Sequence, residues 1–277
     1  MTFDYAEMTG RNIGFVSSAQ QEALRNASVF VCGAGGMGGA CLQTLVRAGV
    51  GNFEIADFDR FEVSNLNRQA FATMETMKQL KAPTAALRLN EINPEARVRV
   101  HATEWTSKIR SILARADVIV NAMDDVLATI RLYRDAGAMG LTVIDAYTST
   151  LPSVYVTRPR DPRPEERMSF PTLGVPLEEI TPDMLAKARL LEIDYVIANS
   201  STGAHVDLEV MSEVITGRRP RISFAPMVMV AGNLMAYEAI ALITGTPSST
   251  DAHGYFFNPY RAQIERPNPG RKHGGAS

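Results

Sequence analysis

The 277 residues predict an α/β fold: a doubly wound, mainly parallel sheet, followed by C-terminal helices and a short antiparallel extension. Three observations carry that expectation. Short β-branched and apolar runs alternate with segments of helical period as far as residue 145. The first of these runs ends in a cluster of glycines. After about residue 150 the alternation gives way to helices.

In chain order, Ser18-Ala19-Gln20-Gln21 has capping-box spacing and predicts a short helix through Ala27. Val29-Phe30-Val31-Cys32 has the compact apolar character of a parallel strand covered on both faces. The small and aliphatic residues of 36–48 suit a helix lying close on that strand, and Gly49-Val50-Gly51 stops it. A second strand is predicted over 52–57, then a helix from about 76 to 92 and a strand over 97–101. Helix 107–115, strand 117–121, helix 127–139 and strand 141–145 complete the alternation, which requires right-handed crossovers. The proline-rich, charged run 158–167 reads as a loop. Helices are expected near 182–191, 205–216 and 225–244, and 255–257 pairs with 262–265 as a hairpin across Asn258-Pro259. Residues 267–277 read as a disordered tail.

The stretch 225–245 is mostly apolar, but Pro226 opens it and Asn233 and Glu238 lie near its middle. A charge at the centre of a membrane span costs about 2.5–3.5 kcal/mol on insertion scales, so a helix buried against the sheet is expected instead. Charged residues are 21% of the chain, apolar residues 45% and the formal charge −2. No overall positive field marks nucleic acid or an acidic membrane as partner, although Arg158, Arg160, Arg163 and Arg167 make a local basic patch. The two cysteines, Cys32 and Cys41, form neither a disulfide framework nor a Cys-x-x-Cys zinc pair, and both fall at core positions. The four histidines are scattered. The acidic N-terminus lacks the features of a signal peptide, so a cytoplasmic address is expected.

Gly33-Ala34-Gly35-Gly36-Met37-Gly38 sits at a strand-to-helix junction, where glycine lets backbone approach a phosphate and free helix amides favour an anion. Asp57 ends the second strand 19 residues after Gly38, where a carboxylate accepts hydrogen bonds from ribose. Nucleotide binding on a Rossmann-like half follows from the two together. The loop fits NAD as well as ATP. A polar segment follows, with Asp57, Asp59, Ser64, Asn65, Asn67, Arg68 and Gln69, then Lys78 and Lys81. Attack on an α-phosphate needs such cations, to offset phosphate charge and hold the departing pyrophosphate, and a magnesium ion needs a carboxylate such as Asp124.

With Ala48-Gly49-Val50-Gly51, Ile92-Asn93-Pro94 and the Asp124 turn, this series resembles the ThiF/HesA family of ubiquitin-activating-enzyme-like adenylyltransferases. The resemblance covers about residues 10 to 245, including Gly232 and Glu238 of the apolar helix, and is weak between 158 and 200. It implies one adenylation domain over 1–266, with a nucleotide-binding half at about 28–150 and a crossover loop and C-terminal half at about 151–266. It implies ATP and magnesium as cofactors. Gly33, Gly35, Gly36 and Gly38 would lie along the phosphates, Asp57 and Asp59 near the ribose, and Asn65 and Arg68 on the phosphates. Lys81 would stabilise the transition-state charge, and Asp124 would hold magnesium. Arg11 would reach into the partner protomer's site, making the active unit a homodimer. The implied partner is a small ubiquitin-like or sulfur-carrier protein, or a peptide, activated at its carboxylate.

The chain departs from many relatives in lacking the Cys-x-x-Cys pairs, hence no zinc is expected, and in lacking a thioester cysteine. The acyl acceptor must then be external. Each site residue also has a plainer reading: Arg68, Lys81 and Arg11 as solvated charges, Asp59 as a turn residue, and Asp124 or Asp125 as the cap of the helix near Leu127. The rival functions are an NAD-dependent oxidoreductase, for which no hydride-transfer partner stands out, and a nucleotide-binding module without turnover.

Overall fold

A computed structural model describes residues 2–147 and 149–267. Strands β1 (Ser28–Cys32), β2 (Asn52–Ala56), β3 (Arg97–His101), β4 (Val118–Asn121) and β5 (Val143–Asp145) run parallel. Strands β6 (Ser153–Thr157), β7 (Tyr255–Asn258) and β8 (Gln263–Glu265) extend the sheet in antiparallel fashion. The order is β3-β2-β1-β4-β5-β6-β7-β8, so the chain reverses direction across the sheet between β1 and β4. At such a switch point the carboxyl ends of the strands open a crevice.

Helices α1 (Tyr5–Thr9) and α2 (Ser18–Asn26) precede β1, α3 (Gly36–Arg47) joins β1 to β2, and α4 (Lys81–Ile92) joins β2 to β3. Helix α5 (Trp105–Leu113) leads to β4 and α6 (Val126–Ala138) to β5. The C-terminal half adds α7 (Pro164–Arg167), α8 (Pro182–Asn199), α9 (Leu208–Ile215) and α10 (Ala225–Thr244).

The pleat of β1 divides the core. Val29 and Val31 pack with residues of α3, α4 and α10, whereas Phe30 and Cys32 pack with residues of α5 and α6 on the opposite face. A third cluster gathers Tyr147, Tyr155, Phe170, Tyr195 and Phe256 beside the antiparallel extension. At 20 residues and mean hydropathy 1.6, α10 is long and apolar enough to cross a membrane. Here it lies on α3 and on β4, β5 and β6, with Ala231, Met235, Ala236 and Ala239 fully buried.

Several predicted boundaries shift. The first capping box uses Ser17 and Gln20, one residue earlier than expected, because Ser17 has the extended backbone that a cap requires. The helix predicted from 76 begins at Lys81, since 74–76 closes a separate turn and Lys78 adopts φ +68°. Strand β6 was not expected; it has no helix before it and its residues are buried throughout. Residues 158–167 are not all loop, because Pro164 starts a short helix at the position where its fixed φ suits helix entry. Helix α8 runs to Asn199, well past 191. From residue 268 the expected tail lies outside the described residues.

Candidate active site

The glycine loop leaves β1 in a conformation open only to glycine. Gly33 has φ +92°, and a Cβ there would meet the carbonyl oxygen of Ala122 at 2.6 Å. Gly38 also has a packing task. It forms no part of the pocket wall, and a Cβ on it would stand 1.8 Å from the carbonyl oxygen of Gly33, so it is what lets α3 pack against the loop. Gly35 caps α3 without any side-chain hydrogen bond, which leaves the first amides of the helix free to meet an anion.

A cavity of about 450 Å³ opens here, bounded by Gly33, Gly35 and Gly36 of the loop and by Asp57, Asp59, Arg68 and Lys81. Its other wall comes from Asp124, Asp145, Glu192 and Arg221. Asp57 is fixed from both sides: one carboxylate oxygen accepts from the Ala34 amide at 2.8 Å and the other from the Asp59 amide at 2.9 Å. Burial raises its carboxyl, against the effect of those two amides and of Lys81. Lys81 is buried, and its Nζ meets Asp59 Oδ2 at 2.9 Å, so it is no solvated surface charge. Arg68 is half-buried and donates to the Ser64 carbonyl at 2.8 Å and to Asn67 Oδ1 at 2.9 Å.

Two predicted residues stand apart from the cavity. Asn65 is buried, and its Oδ1 accepts from the Glu62 amide at 3.1 Å; it shapes the turn that carries Arg68 and does not face the pocket. Arg11 is exposed on a turn of the N-terminal segment and does not line the cavity of its own chain. Asp125 caps α6 by accepting from the Ala128 amide at 2.8 Å. That frees Asp124, whose side chain is 76% exposed and ion-paired with Arg221. Burial raises both cysteine thiols, which rules them out as accessible nucleophiles.

The far wall was not foreseen. Asp145 ends β5 and is 3% exposed. Its carboxylate accepts from Asn121 Nδ2 at 3.0 Å, the Tyr133 hydroxyl at 3.0 Å and the Ala146 amide at 2.7 Å. Burial still pushes its carboxyl up to about 7. The sequence did hold one signal, because Asp145 closes a parallel strand as Asp57 nearly does. Arg189, Glu192 and Arg221 come from α8 and the approach to α10, too distant in sequence to be tied to the loop. Three of the four arginines of the basic patch are engaged elsewhere: Arg167 lies 5.4–5.8 Å from the ring centres of Tyr147, Tyr155 and Tyr195, Arg158 donates to the Thr250 carbonyl at 2.8 Å, and Arg163 pairs with Glu166, while Arg160 is exposed.

Known proteins resemble this chain in both sequence and fold. The sulfur carrier protein adenylyltransferase of Thermus thermophilus is 43% identical over 120 residues, 43% of this chain and 44% of that protein. The molybdopterin-synthase adenylyltransferase of Escherichia coli is 35% identical over 124 residues, 44% of this chain and 49% of that protein. The matches thus span less than half the length of these two relatives. In fold, E. coli MccB solved with ATP has a TM-score of 0.68 at 19% identity, over 99% of this chain and 75% of its own. PaaA has a TM-score of 0.66 at 16% identity, over 96% of this chain and 74% of its own. A model of the ThiF family matches residues 9–276, nearly the whole sequence and every element that builds the cavity, and the chain belongs to that family.

Proposed function

We propose that this chain is an ATP-dependent adenylyltransferase that activates a carboxylate as its acyl-adenylate and releases pyrophosphate. One observation carries the reading: the groups suited to ribose, phosphate and metal follow one another along the carboxyl edge of the sheet. Asp57 follows β2, the glycine loop follows β1 with Lys81 and Arg68 beside it, and Asp124 follows β4. Adjacent strands lie about 4.8 Å apart, so this edge spans a nucleotide and leaves the β5 end for the acyl group.

The incoming carboxylate attacks the α-phosphorus, forming a new P–O bond as the bond to the departing pyrophosphate breaks. Lys81 and Arg68 offset the charge that develops, and no general base is required because a carboxylate is ionised at neutral pH. Among the described residues no three His, Cys, Asp or Glu side chains converge on a metal site. Asp124 alone fits magnesium, which takes one or two carboxylates and completes its shell with substrate phosphates and water. When bound, the ion would neutralise phosphate charge there.

The name of the Thermus relative, sulfur carrier protein adenylyltransferase, favours a small sulfur-carrier protein as the acyl donor, with a peptide as the alternative. With both thiols buried, the acceptor is an external nucleophile. Arg11 is exposed, as it must be to complete a second protomer's site in a homodimer, and the single ThiF match over 9–276 supports one adenylation domain.

The test is exchange of labelled pyrophosphate into ATP, driven by peptides that end in a free Gly-Gly carboxylate. Removing one donor that stabilises transition-state charge costs about 10²–10³ in rate, so Lys81→Ala should lose at least a hundredfold and Arg68→Ala a similar amount. Exchange at the parent rate in both variants would overturn the assignment.

A further inference from the structure

Asp124, the carboxylate read above as the magnesium ligand, already has a cation on it. Arg221 Nη2 donates to Asp124 Oδ2, and Arg189 Nη2 donates to the Asp124 carbonyl. Arg189 is itself held by Glu192, at 3.2 Å within α8. Two residues beyond Arg221, the Ser223 carbonyl accepts from Asn67 Nδ2 at 3.0 Å, next to Arg68. The segment before α10 therefore crosses the cavity mouth from the Arg68 turn to the Asp124 turn. Arg221, Ile222 and Ser223 all line the cavity.

Two cations cannot share the outer oxygens of one exposed carboxylate without repelling each other. From this we infer that Arg221 is a positioning residue acting through Asp124: it neutralises and holds the carboxylate, and would have to give way for Asp124 to hold magnesium on a triphosphate. The Asn67–Ser223 bond keeps the displaced guanidinium tethered at the mouth, on the side of the phosphates. The segment thus holds Asp124 in place before the nucleotide arrives. The inference rests on the proposed role of Asp124.

The direct readout is the magnesium dependence of ATP binding, measured by calorimetry at fixed ATP over a magnesium titration, with no turnover needed. An exposed ion pair of this kind biases an equilibrium by up to about fivefold. In Arg221→Gln, Asp124 no longer has to release a cation, so the magnesium concentration at half-effect should fall about two- to fivefold. Arg219→Gln removes a charge from the same segment that is paired with Glu213 instead; it should leave that midpoint unchanged. Asp124→Asn should abolish the magnesium effect. If Arg221→Gln keeps the parent midpoint while Asp124→Asn loses the effect, the exchange is wrong and the metal assignment stands. If Arg219→Gln shifts the midpoint equally, the effect is general charge and the exchange is again wrong. If Asp124→Asn keeps the parent magnesium dependence, the metal assignment falls and the exchange falls with it.

Discussion

Two carboxylates sit within the strands of this sheet at less than 4% exposure, and they are treated in opposite ways. Glu54, in β2, is met by Arg99 at 2.9 Å, His101 at 2.6 Å and Arg115 at 2.8 Å. Burial alone would raise its carboxyl, but the hydrogen bonds from Arg115, His101 and Arg99 overcome it and hold the group down at about 2. Asp145, three strands away at the end of β5, has only neutral donors, and burial wins. Glu54 lies away from the cavity while Asp145 lines it. A buried acid supplied with cations ties strands together. One left without them is costly to ionise, and the uncompensated groups of a protein gather where a ligand is to be met.

Removing the paired acid should have the larger effect. Glu54→Ala leaves the guanidinium groups of Arg99, on β3, and Arg115, in the turn after α5, without their shared partner; because Arg99 and Arg115 are 63% and 40% exposed, water recovers part of the loss. A destabilisation of about 2–3 kcal/mol is expected, at the lower end for breaking a buried pair, measured by urea denaturation at pH 7. The pH dependence has a definite sign. The native value lies below the unfolded one near 4, so the stability that Glu54 contributes is present above pH 4 and is lost as pH falls from about 4 toward 2. That acid limb should flatten in the variant. An unchanged limb would mean that the cations do not control Glu54.

For Asp145 the sign reverses. Its native value lies above the unfolded one near 4, so the contribution is greatest below pH 4 and is lost as pH rises from about 4 to 7. Asp145→Asn removes the titration while keeping a side chain that accepts from Tyr133 or Asn121. Relative to the parent it should gain about 1–2 kcal/mol between pH 5 and pH 8. Each tenfold change in an acid's ionisation constant is worth about 1.4 kcal/mol, and the bonds the amide cannot keep offset part of that gain. Thermal melts across that range are the check. A parallel pH course for the two proteins would erase the contrast between the two acids.

The sequence was most informative where local rules act. The alternation of apolar runs and helices predicted β1 to β5: β1, β2, β4 and β5 are covered on both faces and so are short and mostly apolar, whereas the exposed edge strand β3 showed only as a run of alternating valines. The glycine loop and Asp57 were legible because their backbone needs are local. Gly38 and Asn65 fall inside the predicted motif, but their packing contacts, which admit α3 to the loop and close the turn at Glu62, were not legible, since a motif marks a position and not its tertiary partners. Strand β6 lay hidden because an antiparallel strand at the edge of a parallel set has no βαβ signal. Asp145, Glu192 and Arg221 meet only through tertiary packing of segments up to 76 residues apart, and spacing carries no trace of that. Arg167 shows the reverse error: in a charged, proline-rich run it read as solvent-facing, yet it lies among three tyrosine rings.

The central claim is that the glycine loop, Asp57, Lys81 and Arg68 surround a nucleoside triphosphate. A crystal structure of the protein grown with ATP tests it most directly. The account predicts ribose hydroxyls on Asp57, phosphates against the uncapped start of α3, and Lys81 Nζ and the Arg68 guanidinium within hydrogen-bonding distance of phosphate oxygens. A triphosphate bound elsewhere, with Lys81 still on Asp59 and Arg68 still on the Ser64 carbonyl, would contradict it.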